Sequence, residues 1–208
     1  MNLVCFAVPE EARPFRRAQP HGVETLITGM GRANAAAAFS RRLTATAPQL
    51  VLTCGFAGGL DPRLRRGTVV FDADPDPGLA ESLAAAGAVP ARVHCADRVA
   101  TTARDKQRLR DATGSDAVEM ESAVIRELCR QRGIPSATVR VISDEAGEDL
   151  PVDFNACLDS RQQLSLLRLL AHLARHPRVI PGLLRLQRHC AFAAGNLARV
   201  LQAALAGH

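Results

Sequence analysis

The chain contains no tryptophan and no tyrosine, and its seven phenylalanines leave it only 3% aromatic over 208 residues. Reading nucleic acid by stacking requires aromatic platforms, and the most basic stretch holds only Phe192, so no nucleic-acid partner is expected. No apolar run reaches the roughly twenty residues needed to span a bilayer. The six cysteines (Cys5, Cys54, Cys95, Cys129, Cys157 and Cys190) lack the close pairs of zinc ligands or redox motifs. They read as buried thiols of a cytoplasmic protein, and no signal-peptide pattern precedes Leu3. Neither a metal nor an organic cofactor is expected. Lysine is almost missing too. Lys106 is the only one, a bias that genomic composition explains as readily as phosphate binding, so no function is read from it.

Acidic residues vanish after Asp159. From Arg161 to His208 there are seven arginines and no Asp or Glu, so the whole net charge of +5 resides in this tail. At 100° per residue, Arg161, Ser165, Arg168, His172 and Arg175 share one side of a helix, with Leu166, Leu169, Leu170 and Leu173 opposite. Pro177 and Pro181 interrupt it, and a helical pattern resumes over Leu183 to Leu205. Residues 161–208 are therefore expected to form a basic amphipathic helical extension. It either lies on an anionic membrane surface or packs on the core with a solvated basic face. His172 and His176 have helical metal-ligand spacing but no third ligand, which favours solvent-facing histidines.

With 47% hydrophobic residues, the chain can bury one sizeable core, and 1–208 reads as a single domain. Leu3–Val8, Thr25–Thr28, Leu50–Thr53, Thr68–Asp72 and Ala137–Ile142 read as strands. Ala33–Ala45, Glu81–Ala86, Thr102–Thr113 and Ser122–Arg132 read as helices. This alternation predicts an α/β fold. Asp72–Gly78, with two prolines, is the expected exposed loop.

Two segments place carboxylates beside strand ends: Ala117-Val118-Glu119-Met120-Glu121-Ser122 and Val139-Arg140-Val141-Ile142-Ser143-Asp144-Glu145-Ala146. Carboxyl ends of strands in α/β folds commonly face a ligand crevice. Cleaving a purine N-glycosidic bond leaves electron density on the base and positive charge on the sugar, as in glycoside hydrolysis. The reaction needs an acid for the purine, a carboxylate for the ribose hydroxyls and a base for the nucleophile. Asp144, Glu121 and Glu11 are the candidates. An exposed Asp is ionised at neutral pH, so Asp144 serves as an acid only if burial or a neighbouring negative charge keeps it protonated. The plain alternative is that Ser143-Asp144-Glu145 caps a turn. Glu119 and Glu145 can both be structural, and Arg140 either supports the pocket or closes a salt bridge elsewhere. Phe154 either stacks near substrate or packs in the core.

Four segments in order resemble the nucleoside phosphorylase and nucleosidase superfamily, in particular its methylthioadenosine/S-adenosylhomocysteine nucleosidase branch. They are Ala7-Val8-Pro9-Glu10-Glu11, Thr28-Gly29-Met30-Gly31-Arg32-Ala33-Asn34-Ala35, Thr53-Cys54-Gly55-Phe56-Ala57-Gly58-Gly59-Leu60 and the carboxylate pair above. The resemblance implies a three-layer fold around a central mixed sheet, followed by the C-terminal helical extension. It implies Glu11 as water-activating base, Glu121 as ribose ligand, Met120 packed on the sugar, Asp144 as purine acid and Ser143 as its neighbour. Phe56, Ala57 and Gly58 would line the substrate pocket. Phe56 stands where that branch carries Ser, which points to a different substrate. The segment from Phe71 to Ala117 is short, and Asp97-Arg98-Val99 is expected to stand in for the base-binding strand, with Val99 replacing an aromatic. Gly55 to Pro62, Thr101 to Lys106 and the end after Val152-Asp153-Phe154 are similar to hopanoid-associated phosphorylase-like proteins. That implies adenosylhopane as substrate, adenine as product, and a lipid at the 5′ position.

Hydrolysis and phosphorolysis share this chemistry and differ in nucleophile. Glu11 favours water, whereas Arg13 and Arg32 keep phosphate open. In Gly29-Met30-Gly31, either ligand contact or close helix packing accounts for the glycines. Gly58 and Gly59 either admit ribose or an anion, or permit a turn. Relatives' habits imply a homodimer. A nucleoside- or lipid-binding module without turnover is the alternative of another class.

Overall fold

The computed structural model describes residues 1–17, 20–74, 77–157 and 166–206. The strands are β1 (Asn2–Phe6), β2 (Val23–Ile27), β3 (Leu50–Gly59), β4 (Val69–Ala73), β5 (Val89–Pro90), β6 (Val93–Cys95), β7 (Ala117–Glu119) and β8 (Ser136–Asp144). The helices are α1 (Pro9–Arg16), α2 (Arg32–Leu43), α3 (Pro77–Ala85), α4 (Ala103–Thr113), α5 (Ser122–Arg130), α6 (Phe154–Cys157), α7 (Leu166–Arg175) and α8 (Ile180–Leu205). The main path of the sheet runs β2-β1-β3-β8-β4-β5, with β7 on the far end of β3 and β6 on β7. β1, β2, β3 and β8 are mutually parallel, while β4 on β8 and β7 on β3 are antiparallel, which makes the sheet mixed.

The two faces are covered by separate helix groups, giving three layers. Ala12 and Phe15 of α1, Leu79 and Leu83 of α3, and Leu197 and Leu201 of α8 pack with Val4, Leu52 and Val139. On the other face, Ala35 and Phe39 of α2 and Ile125 and Cys129 of α5 pack with Leu3, Cys5 and Val51. Strands covered on both faces need not alternate polar and apolar residues. β8 shows this, being buried along its whole length, with Arg140 its one fully charged interior residue.

Parallel order brings the carboxyl ends of β1, β3 and β8 to one edge, where the expected crevice lies. β3 is longer than expected, so Gly58 and Gly59 lie inside a strand rather than in a turn after it. Register slips between Ala57 and Gly58, whose partners on β8 are Ile142 and Asp144, leaving Ser143 as the bulged residue. In a regular strand Ser143 and Asp144 would point to opposite faces. The bulge lets both border the same cavity. Asp97–Val99 does not form the expected strand. β6 ends at Cys95, and the backbone N–H and C=O of Val99 bond the side chain of Asn155, both at 2.9 Å, instead of a ladder.

The tail divides in two. Arg161 and Ser165 lie outside the described residues. α8 starts at Ile180 with Pro181 in its first turn, where a missing N–H costs nothing. Its residues Ala193 to Leu205 carry the buried face that packs on α1 and β8. Ahead of this, Leu170, Ile180, Leu184 and Phe192 are exposed. The packed helix thus holds for the end of the chain and not for the basic hairpin before it. No helix among the described residues is long and apolar enough to cross a membrane.

Candidate active site

A cavity of about 280 Å³ lies at the strand ends. Its wall includes Glu11, Met120, Glu121, Ser143 and Asp144, together with Phe56, Ala57, Gly58 and Val99, so every residue expected at the site from the sequence borders one space. Met30, Arg98, Leu150, Phe154, Leu186 and Cys190 border it as well. Arg13 and Arg32 do not; Arg32 instead pairs with Asp97 at 3.3 Å on the surface.

Glu11 is held by local and distant backbone at once. It is the third residue of α1, and its Oε2 accepts from the N–H groups of Ala7 (2.9 Å) and Val8 (3.2 Å), as a capping residue does. Its Oε1 accepts from the Phe56 N–H at 2.8 Å, which ties β3 to α1. Gly55 makes this approach possible. Its φ is +149°, and a Cβ there would come within 2.6 Å of Glu11 Oε1 and 2.8 Å of Arg140 Nη1. Burial pushes the Glu11 carboxyl up to about 7, against the lowering pull of the Phe56 N–H and Arg140 and with added push from Glu121.

Glu121 sits at the N-cap of α5, and its Oε1 accepts from the N–H of Gly31, the N-cap of α2, at 2.8 Å. The N-terminus of α2 therefore faces the Glu121 carboxylate, while the N–H groups of Glu121 and Ser122 at the start of α5 donate to Glu119 Oε2, both at 2.9 Å, each a favourable arrangement for negative charge. Burial nonetheless raises the Glu121 carboxyl above the usual range, with Arg140 opposing and Glu119 reinforcing. In the Gly29-Met30-Gly31 turn, Gly31 ties the start of α2 to Glu121 at the start of α5, as the packing reading has it, and Met30 borders the cavity.

Beneath these groups lies Arg140, 1% exposed. Its Nη2 donates to Glu119 and to Thr53 Oγ1 (3.2 Å) and lies 3.9 Å from Glu121 Oε2. Burial pushes the Glu119 carboxyl up, but Arg140, the Ser122 hydroxyl and the Glu121 and Ser122 N–H groups outweigh it and hold Glu119 below the usual range. Of the readings left open for Arg140 and Glu119, the structure favours an internal pair supporting the pocket floor. Glu145 is structural, bonded to Arg65 (3.0 Å) and to the Arg66 N–H (3.2 Å).

Asp144 has the expected neighbour, Ser143, and a second that was not expected. Its Oδ1 accepts from Ser143 Oγ at 2.6 Å, and its Oδ2 lies 2.5 Å from Nζ of Lys106, a residue with 0% exposure. Burial is present, but the adjacent charge is positive. In the sequence Lys106 stands out only as the one lysine and as the end of the Thr101–Lys106 resemblance, with no place at the site, because α4 reaches Asp144 only through tertiary packing. Gly58 leaves room for the pair, since a Cβ there would sit 3.3 Å from Asp144 Oδ2.

All six cysteines are free, and burial raises both Cys54, below Glu11, and Cys190, on the cavity wall, so neither presents a ready thiolate. The rings of His172 and His176 lie tilted at 44° with centroids 4.8 Å apart, and among the described residues no cluster of ligating side chains could hold a metal.

A layered α/β sheet that gathers Glu11, Glu121 and Asp144 at its parallel strand ends has the plan of a small-molecule enzyme. The profile of the phosphorylase superfamily matches residues 71–173. A 5′-methylthioadenosine/S-adenosylhomocysteine nucleosidase of Shewanella loihica is 27% identical over 198 residues, covering 76% of this chain and 86% of the relative. Its counterpart in Geobacillus kaustophilus is 29% identical over 196 residues, covering 77% and 83%. Among solved structures, the futalosine hydrolase of Helicobacter pylori matches with a TM-score of 0.73 at 15% identity, covering 100% of this chain and 97% of that one. The nucleosidase of Neisseria meningitidis in complex with methylthio-immucillin-A matches with a TM-score of 0.73 at 20% identity, covering 100% and 99%. The structural likenesses speak for the fold. The profile and the sequence relatives place this chain with the phosphorylase superfamily, similar to its methylthioadenosine/S-adenosylhomocysteine nucleosidases.

Proposed function

We propose that this protein hydrolyses the N-glycosidic bond of a 5′-substituted adenosine and releases adenine. The observation that carries the reading is the convergence of Glu11, Glu121 and Asp144 on one largely apolar cavity. In this mechanism Asp144 delivers a proton to the departing purine, with Ser143 orienting it. Glu121 holds the ribose hydroxyls beside the developing cation, and Met120 packs on the sugar. Glu11, ionised above about pH 7, takes a proton from the attacking water. Phosphorolysis would need several cations around an anion. Among the described residues Arg98 is the one cation on the cavity wall, which supports water.

The 5′ substituent is read from the apolar side of the cavity. Phe56, Leu150, Phe154, Leu186 and Cys190 offer an alkyl chain a continuous partner, and the last two come from the exposed half of α8. We therefore favour a lipid-linked nucleoside, adenosylhopane. The hairpin of α7 and the start of α8 supplies the matching surface. Leu170, Ile180, Leu184 and Phe192 are 41–59% exposed, and residues 166–206 hold six arginines without an acidic residue. Such a surface fits an anionic bilayer on the cytoplasmic side. The second reading is methylthioadenosine/S-adenosylhomocysteine cleavage, favoured by the activity of the sequence relatives. A homodimer whose partner helps close the cavity belongs to the same proposal.

The test is to incubate the purified protein with adenosylhopane, methylthioadenosine and adenosine, with and without phosphate, and to measure adenine. Phosphate-independent release, fastest from adenosylhopane, is expected. Release that requires phosphate would make the protein a phosphorylase, and binding without release would make it a binding module.

A further inference from the structure

Three acceptors surround the amino group of Lys106. Nζ lies 2.7 Å from the carbonyl oxygen of Glu145, 2.9 Å from that of Glu148 and 2.5 Å from Asp144 Oδ2. An ammonium has three donors and no acceptor, so it satisfies all three contacts; a neutral amine has two donors and would set a lone pair against one of the oxygens. The side chain is 0% exposed, so water cannot take over a missing contact. The resting pair is therefore an ammonium beside a carboxylate whose other oxygen already accepts from Ser143 Oγ. Drawn this way, the proposed acid holds no proton of its own. The proton it needs stands one hydrogen bond behind it.

We propose that Lys106 is the proton reservoir of Asp144: a positioning residue that stores the catalytic proton on Nζ and gives it up as the purine departs. The inference rests on the reading of Asp144 as the acid. In the cleavage step the C1′–N9 bond breaks and its electron pair goes to the purine. One proton passes from Nζ to the Asp144 carboxylate, and the carboxyl delivers one to N7, leaving a neutral amine. The water oxygen bonds C1′ and its proton goes to Glu11. Solvent in the cavity then removes the proton from Glu11, and one returns to Nζ by way of Asp144, which borders the cavity, so the cycle closes with no net proton change. The use of lysine is pointed. Arginine never gives up its proton at accessible pH, and it serves at Arg140, where charge has only to be held; the chain's one lysine stands where a proton has to move.

The experiment uses the full chain with its single lysine labelled with ¹⁵N, which gives one side-chain resonance. The free protein is expected to show a protected ammonium. Adenine should move that resonance, whereas 7-deazaadenine, which lacks the N7 acceptor, should leave it in place. An amine signal in the free protein, or equal responses to both bases, overturns the proposal whatever the protein hydrolyses. In kinetics, Lys106→Met, nearly isosteric, is expected to lower kcat by about 100-fold with KM within about threefold, and to move the alkaline limb of the kcat profile to lower pH. Lys106→Arg keeps the charge and should not restore kcat; restoration would make Lys106 a purely electrostatic brace. Wild-type protein that binds no purine and releases no adenine refutes the nucleosidase reading, whereas an active wild type with an unchanged Lys106→Met variant refutes this one.

Discussion

The two ends of the cavity bury carboxylates by different means. At one end Glu11, Glu119 and Glu121 are fixed by backbone N–H groups of Ala7, Val8, Gly31, Phe56, Glu121 and Ser122, with a shared guanidinium beneath them. At the other, Asp144 is fixed by one hydroxyl and one ammonium. Backbone amides and arginine hold charge but do not exchange protons at ordinary pH. The first end is built to keep an electrostatic field in place, and the second to let a proton travel. The sharpest way to break this contrast is Asp144→Asn. Asparagine keeps the shape but cannot carry the proton, so adenine release should fall by about 10²- to 10⁴-fold while substrate binding stays measurable. Near-normal turnover would remove the acid from residue 144.

Arg140→Met attacks the opposite end. It leaves Glu119, 5% exposed, without its cation, and breaking a buried pair by removing one partner costs about 3–5 kcal/mol. Urea unfolding should show a loss of that size at unchanged m-value. A loss below about 1 kcal/mol would mean that the three carboxylates do not depend on a common cation.

Glu11 makes the first end pH-sensitive. The carboxyl is raised to about 7 by burial, so its neutral form suits the folded state. The stability this contributes is complete below the unfolded value near 4.5 and is lost as pH rises through about 7, on the order of 3 kcal/mol in all. Activity runs the other way, because only the carboxylate accepts a proton from water. The kcat/KM profile should therefore climb through about pH 7, and Glu11→Gln should abolish hydrolysis and flatten the stability change. A rising limb near pH 4–5 would show that Glu11 is not the titrating base.

How far the site could be read in advance follows the same division. Glu11, Glu121 and Asp144 are legible because each sits within a few residues of a strand end, and parallel strands bring such ends together, whereas Met120 and Ser143 enter through the family resemblance. The long strands are legible, though β3 ends at Thr53 in the sequence reading, where Gly58 and Gly59 permit a turn. α1 was not recognised as a helix: Pro14 in its interior argues against one, yet Pro9 at its start and Glu11 as its cap sustain it. β5, β6 and β7, with two or three residues each, are too short to show periodicity. Lys106 and Leu186 are beyond reach for another reason. They meet the site through contacts far apart in sequence, and nothing local distinguishes them from surface charge or core leucine.

The smallest expected effect lies in the last helix, whose two halves give a second contrast. Leu197 and Leu201, 0% exposed, pack on the sheet, whereas Leu184, on the same helix, is 52% exposed. If the packed half holds the fold and the exposed half meets lipid, a charge should act differently in each. Leu197→Asp buries an unpaired carboxylate and should prevent folding. Leu184→Asp touches no core residue and should change unfolding free energy by less than about 0.5 kcal/mol. Removing one leucine from an interfacial face forfeits about 1.5 kcal/mol of burial, which weakens binding to anionic vesicles about tenfold and leaves water-soluble nucleosides cleaved at the wild-type rate. Vesicle binding unaffected by Leu184→Asp, or binding equal on neutral and anionic lipid, would detach the arginine-rich hairpin from the membrane. The exposed leucines would then have to be covered by a second copy of the chain, which sedimentation of wild type and variant would reveal as a change of mass.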